Sequence, residues 1–139
     1  MTEAELMCAR DLREKIRDLE RRMQTLRGQA ISLVPIIDGM PHAKTAKSRV
    51  EEITVKLMAV DEEIALLSDE FVRAAFELDR KIEASDLDAL EKAVLNLRYV
   101  ACMNFLHIQE QLKISDATTF YIHRTARKKI LKSSQDDSS

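Results

Sequence analysis

The sequence predicts an all-α protein, and three observations carry that prediction. Glycine and proline, the two residues least suited to helix interiors, each occur only twice in 139 residues. Charged residues make up 33% of the chain and aromatic residues only 4%, which is typical of long amphipathic helices and unlike sheet proteins. Apolar residues also recur at alternating spacings of three and four over two long segments. The predicted architecture is a long antiparallel, coiled-coil-like helical hairpin followed by a C-terminal module of three helices.

The first two helices are read from capping residues and heptads. Thr2 and Glu5 have the spacing of a capping box, so the first helix is predicted to begin there. Its apolar seam is Leu12, Ile16, Leu19, Met23, Leu26, Ala30 and Leu33. Pro35 ends this pattern, and Ile36–Thr45 is predicted to be a turn region. A second capping box at Ser48 opens the second helix, whose heptad seam runs from Ile53 to Ile82.

Residues 1–84 are predicted to form the hairpin and to oligomerise. A helix with one apolar stripe is stable only when that stripe is buried, and two helices alone bury a thin core. A homodimer is therefore expected. The apolar edges expected to remain for the second copy include Leu19, Met23, Leu57 and Ile64.

Residues 85–132 are predicted to form a helix-turn-helix module. A third helix starts near Ser85 and Asp88 and leads into a short helix with Phe105, Ile108 and Leu112 on one face. Ser115 is a suitable N-cap for the last helix. The helical spacing gives that helix an inward and an outward side. The inward residues are Thr119, Ile122, Ala126 and Ile130, and the outward residues are Ala117, Tyr121, Arg124 and Lys128. Residues 133–139 contain no apolar side chain and are predicted to be a disordered tail.

Positive charge is concentrated in this C-terminal module. From Asn96 to Lys132 there are seven Lys and Arg residues against two acidic residues, a local net charge of +5. The whole chain has a net charge of −2, so the remainder carries −7. A basic module on an acidic body indicates a polyanionic partner for this end.

The same segment resembles region 4 of bacterial sigma factors, in the form found in small phage and prophage proteins. Those proteins combine a helical hairpin with a sigma-region-4-like helix-turn-helix and are related to the RinA and ArpU types of phage transcriptional regulator. The matching positions are Leu97-Arg98-Tyr99, Phe105, Ile108, Leu112, Ser115, Thr118, Phe120 or Tyr121, Ile122-His123, Ala126 and Lys129-Ile130. The charged heptad helices and the linker around Gly39-Met40-Pro41-His42 resemble the family's upstream half.

The resemblance implies a DNA-binding transcriptional regulator of a phage or prophage, acting in the cytoplasm of the bacterial host. Double-stranded DNA is the implied partner, with host RNA polymerase or another host protein as a second one. The side chains implied for DNA contact are Thr118, Tyr121, Arg124, Thr125, Arg127 and Lys128.

Some departures from the family pattern support an alternative. The family often has Glu-Arg after the capping serine, where this chain has Asp116-Ala117, and an arginine where this chain has Tyr121. The loop glycine is replaced by Lys113. A protein-binding module that keeps the fold, but has lost specific DNA reading, would show such changes. Its partner would be a host defence or RNA polymerase component.

Other function classes have little support in the sequence. The three histidines do not have metal-ligand spacing with cysteine or carboxylates, so no metal is predicted. No glycine-rich phosphate loop or nucleophile–base pair is evident, so neither an enzyme nor a cofactor is predicted. Cys8 and Cys102 are expected to be reduced thiols. No apolar run has the length of a membrane span.

Overall fold

A computed structural model describes residues 1–37 and 43–137. Helices are the regular elements in these two ranges, and neither range contains a strand. Two long helices come first, α1 (Glu3–Ile37) and α2 (Ala43–Glu83). They are followed by α3 (Ala89–Leu95), a π-helical segment (Asn96–Val100), α4 (Phe105–Leu112) and α5 (Asp116–Asp137). The all-α prediction is confirmed.

The boundaries of the long helices differ in part from the predicted ones. Glu5 N donates to Thr2 Oγ1 at 3.2 Å, so Thr2 caps α1 as predicted. α1 then continues past Pro35 to Ile37, because a proline near a helix end removes only one backbone hydrogen bond. α2 begins at Ala43, which places Ser48 inside the helix and not at its start. Residues 38–42 of the predicted turn lie outside the described residues.

The third helix starts at Asp88 and not at Ser85. Glu91 N donates to Asp88 Oδ1 at 2.8 Å, and Asp88 N donates to Glu91 Oε1 at 3.3 Å, which is a complete capping box. The Ser85 hydroxyl instead donates to the carbonyl of Ile82 at 2.5 Å, at the end of α2.

The chain divides into two compact units. The first comprises Met1–Arg13 and the residues from Glu70 onward, and the second comprises Glu14–Asp69. The first unit contains one apolar core that α1, α2 and the C-terminal helices share: Leu6, Ala9, Leu78, Ile82, Leu87, Leu95, Tyr99, Ala126 and Ile130. The predicted division at residue 84 is therefore not where the compact units separate, because the beginning of α1 and the end of α2 belong to the C-terminal core.

Side-chain contacts give the direction of the two long helices inside the first unit. Lys81 Nζ donates to Glu5 Oε2 at 3.3 Å, and the Arg13 guanidinium lies 6.0 Å from the ring centre of Phe71. Moving along α1 from residue 5 to 13 thus means moving back along α2 from residue 81 to 71. The two segments are antiparallel in this unit, as a hairpin requires.

The second unit has its own small core, built around buried Leu26, Ile53 and Val60. Four residues expected to be incompletely covered by the two helices pack partly buried against it: Leu19, Met23, Leu57 and Ile64. They stay partly exposed within one chain, and their burial by a second copy stays a prediction. The large apolar side chains that this unit does leave exposed are Ile31, Val34, Val55, Met58 and Leu66.

The C-terminus differs from its prediction as well. α5 continues to Asp137, so the backbone of residues 133–137 is helical where a disordered tail is predicted. No glycine or proline follows Ile130, and an established helix propagates at little cost per residue. Residues 138 and 139 of the predicted tail lie outside the described residues.

Candidate nucleic-acid interface

Helix α4 is held at both ends by local backbone interactions. Asn104 caps its start, because its side-chain oxygen accepts a hydrogen bond from His107 N at 2.9 Å. Lys113 closes its end in the left-handed conformation, with φ of 56°. Ile114 N then donates to Gln109 O at 3.2 Å. Ile108, at the centre of α4, is completely buried. This left-handed position is where the resemblance predicts glycine, so the backbone bend is kept without it.

Ser115 starts the last helix, as predicted. Its hydroxyl accepts a hydrogen bond from Thr118 N at 3.2 Å, and Thr119, which is buried, donates its hydroxyl to Ser115 O at 2.8 Å. Asp116 Oδ1 accepts a hydrogen bond from Gln109 Nε2 at 2.5 Å, which links α5 to α4 across the turn. Two helices joined by the three residues 113–115 are therefore fixed at the turn by hydrogen bonds from both sides.

One side of α5 is left open by the core. Its lining residues, here called the outer face of α5, are Ala117, Phe120, Tyr121, His123, Arg124, Arg127, Lys128, Leu131 and Lys132. Of the predicted DNA-contact residues, this face includes Tyr121, Arg124, Arg127 and Lys128. Tyr121, Arg124 and Lys128 are exposed.

The remaining predicted contact residues are placed differently. Thr118 is exposed in the first turn of α5, where its hydroxyl accepts a hydrogen bond from Ser115 Oγ at 2.7 Å. Thr125 is partly buried and donates its hydroxyl to Tyr121 O at 2.8 Å. The Thr125 hydroxyl is therefore used in a hydrogen bond within α5, and Thr118 contributes to the N-cap of that helix.

Three basic residues of the C-terminal module have partners inside the protein. Arg127 forms an ion pair with Glu3. Lys129 Nζ donates to Glu91 Oε1 at 3.2 Å and lies 3.1 Å from Oε2 of the same buried carboxylate. Arg98 donates to Met103 O at 3.1 Å, and its guanidinium lies 4.1 Å from the ring centre of Phe105. The side chains of the other four have neither an ion pair nor a hydrogen bond within the described ranges: Lys113, Arg124, Lys128 and Lys132.

Residues 37–131 match the family model described as "Protein of unknown function (DUF1492)", which covers more than half of the chain. The chain belongs to this family. No curated protein and no solved structure matches the chain. The DUF1492 region contains α2 to α4 and most of α5, whereas nearly all of α1 precedes it.

A cluster of rings joins the π-helical segment to the outer face within the DUF1492 region. Tyr99 Oη and His123 Nε2 are joined by a hydrogen bond of 2.7 Å, and the two rings are stacked. Phe105 and His123 form a T-shaped contact with 4.9 Å between their ring centres. Phe105 also packs against Phe120 in a tilted arrangement, with 4.7 Å between the ring centres. Phe120 is thus packed on one side by Phe105, while almost half of it stays exposed.

The ring cluster has an unusual electrostatic setting. Burial, followed by the positive charges of Arg98, Arg127 and Arg10, lowers the pKa of His123 to about 4. Burial also raises the pKa of the Tyr99 phenol. At neutral pH the imidazole is therefore uncharged and the phenol protonated, so the pair is held by a hydrogen bond between neutral groups.

Sequence reasoning missed several residues that shape this site. Arg10 reaches from α1 and donates to Arg98 O at 2.9 Å, and Glu3 pairs with Arg127. No spacing rule connects residues that far apart in the sequence. The Leu97-Arg98-Tyr99 and Ile122-His123 matches did carry a signal for the ring cluster, because both occur in the resemblance and meet in space.

Within the described residues, no group of three or more His, Cys, Asp and Glu side chains could hold a metal ion. Among the helices in the same part of the chain, none is both long and apolar enough to cross a membrane.

Proposed function

We propose that this protein is a phage or prophage DNA-binding transcriptional regulator that presents the outer face of α5 to the major groove. The supporting observation is the distribution of charge on that helix. The basic side chains without internal partners include Arg124, Lys128 and Lys132, which all lie on the exposed face. Lys129, which does not lie on this face, is neutralised within the fold by Glu91.

The arrangement of α4, turn and α5 suits a helix-turn-helix. In such a motif the first residues of the second helix contact base edges, while phosphates are bound around them. Thr118 and Tyr121 lie in the first two turns of α5 and are exposed. Arg124 and Lys128 follow one and two turns after Tyr121 on the outer face of α5. We assign the former pair to base contacts and the latter pair to phosphates.

A homodimer and a contact with host RNA polymerase belong to the same proposal. The exposed apolar side chains of the second unit, notably Val55, Met58 and Leu66, provide a surface for a second copy. Two copies would present two α5 helices to half-sites spaced by about one helical turn of DNA.

The test is the salt dependence of binding to short duplex DNA, random in sequence or taken from the neighbouring phage genome. Each phosphate contact contributes about 0.9 to the slope of log affinity against log salt concentration. Changing Arg124→Ala and Lys128→Ala together is expected to weaken binding and to lower this slope by about two contacts. Helicity by circular dichroism should be unchanged, because both side chains are exposed.

The matched control is Arg27→Ala with Lys56→Ala, which removes two exposed charges from α1 and α2. This variant should bind DNA like the unmodified protein. If the α5 variant and the control bind DNA equally well, α5 is not the helix that contacts DNA.

A protein-binding role is the second candidate, and one observation favours it. Phe120 is 48% exposed and Tyr121 63% exposed, side by side on the outer face of α5. Exposed aromatic pairs are common at protein interfaces. Binding to a host defence or polymerase component would depend on these rings and change little with salt, whereas DNA binding would depend on Arg124 and Lys128.

A further inference from the structure

Glu3 is placed beside the outer face of α5 by the core of the first unit. Leu6 and Ala9, one turn and two turns further along α1, are completely buried in a cluster that includes Ala126 and Ile130 of α5. The first turn of α1 therefore has a fixed position against α5. Within it, the Glu3 carboxylate forms an ion pair with Arg127, whose side chain lines the outer face.

This ion pair is accessible to solvent and to a ligand. The Glu3 side chain is 68% exposed and that of Arg127 is 34% exposed. Exposed ion pairs are weak, because water screens the charges and both side chains lose freedom. A phosphate group approaching the face that also carries Arg124 and Lys128 could therefore take the place of the carboxylate on Arg127.

We propose that Glu3 limits the affinity of this interface for nucleic-acid phosphates. The inference rests on the proposed DNA-binding function and concerns the same face. In the free protein the carboxylate offsets part of the charge of Arg127, so the guanidinium contributes less to the attraction of phosphates. In the complex the carboxylate must either leave Arg127 or remain next to a phosphate, and both arrangements oppose binding.

The effect of Glu3 falls on the part of binding that does not depend on sequence. Phosphate contacts supply most of non-specific affinity, whereas base contacts decide between sites. A carboxylate next to a phosphate-binding arginine lowers affinity for all DNA to a similar extent. Glu3 thereby keeps the protein from being held on unrelated DNA, at no cost to the base contacts assigned to Thr118 and Tyr121.

The test is Glu3→Gln in the full chain, titrated with a short random-sequence duplex from about 50 to about 200 mM salt. The variant should bind about threefold or more tightly at the low-salt end, with a slope steeper by about one phosphate contact. Glu20→Gln removes the same charge from an exposed position of α1 and should leave affinity and slope unchanged. Circular dichroism melting checks that both variants are folded.

A double variant separates the ion pair from a general charge effect. If Glu3 acts through Arg127, Glu3→Gln should have little effect in a chain that already carries Arg127→Ala. Equal or weaker binding by Glu3→Gln than by the unmodified protein would overturn the inference and leave the proposed function standing. Failure of both proteins to bind any duplex would overturn the proposed function, and the inference with it.

Discussion

At the scale of single residues, His123 is the side chain whose behaviour departs most from the ordinary. Its imidazole is partly buried between the rings of Tyr99 and Phe105 and faces the positive charges of Arg98, Arg127 and Arg10. Protonation of this ring would add a positive charge to a partly buried environment that is already positively charged. The native structure therefore binds that proton less readily than the unfolded chain does.

This difference predicts a loss of stability in mild acid. The ordinary pKa of histidine is 6.5 and that of His123 in the folded protein is about 4. Above pH 6.5 the His123 imidazole is neutral in both the folded and the unfolded state. As the pH falls towards 4, the imidazole becomes protonated in the unfolded state but stays neutral in the folded state. The contribution of His123 to the free energy of unfolding is thus present above pH 6.5 and is lost as the pH falls through 4.

The measurement is thermal unfolding of the unmodified protein and of His123→Gln from neutral pH down to a pH of about 4. Glutamine can accept the Tyr99 hydrogen bond but does not titrate. The difference in melting temperature should favour the unmodified protein most at neutral pH and shrink in acid. Melting temperatures that fall in parallel for both proteins would contradict the assignment.

At the scale of elements, the sequence predicted those boundaries that a side chain marks locally. Thr2 and Ser115 mark helix starts in the sequence because a hydroxyl caps a helix within three residues of itself. The predicted starts of α2 and α3 differ from the observed ones because Ser48 and Ser85 have equally good local patterns. What decides between such patterns is packing, since Asp88 starts α3 where Leu87 enters the core of the first unit.

The capping and packing of α5 predict different costs for two substitutions, one at its start and one within it. Ser115→Ala removes a cap and is expected to lower the free energy of unfolding by about 1 kcal/mol. Ala126→Leu adds bulk at a completely buried position and should cost about 1–3 kcal/mol. Chemical denaturation of both variants gives the comparison, and unchanged stability of Ala126→Leu would mean that α5 does not pack tightly at this position.

At the scale of the whole molecule, the sequence predicted the fold class but not the composition of the core. Residues 85–132 look like a separate domain because their charge and their turn are distinctive. The core nevertheless includes Leu6 and Ala9 from α1 and Leu78 and Ile82 from α2. Contacts across more than a hundred positions leave no periodicity in the sequence. The same reason explains why Glu3 and Arg10 were not recognised as parts of the candidate interface.

Because the core is shared, a residue of α1, far from the turn, is expected to control the stability of the C-terminal helices. Leu6 is completely buried, so Leu6→Ala should lower the free energy of unfolding by about 2–5 kcal/mol and, through the fold, weaken the proposed DNA binding. Leu106→Ala is the matched control, because Leu106 is 60% exposed and should change stability by no more than about 0.5 kcal/mol. Equal melting temperatures for the two variants would contradict a core that depends on α1.

Glu91 links α3 to α5, and this link constrains which parts of the first unit can unfold separately. Its carboxylate caps α3 through Asp88 and also receives the ammonium group of Lys129 on α5. If α5 detached alone, the nearly buried Glu91 carboxylate would lose its counter-ion, Lys129. Hydrating that carboxylate fully would require it to leave the capping box, so the first turn of α3 would unfold as well. The two segments are thus coupled, and partial opening that releases one without the other is disfavoured. Amide protons at the start of α3 should therefore exchange with solvent at the rate of those in the middle of α5, although the two stretches are distant in sequence.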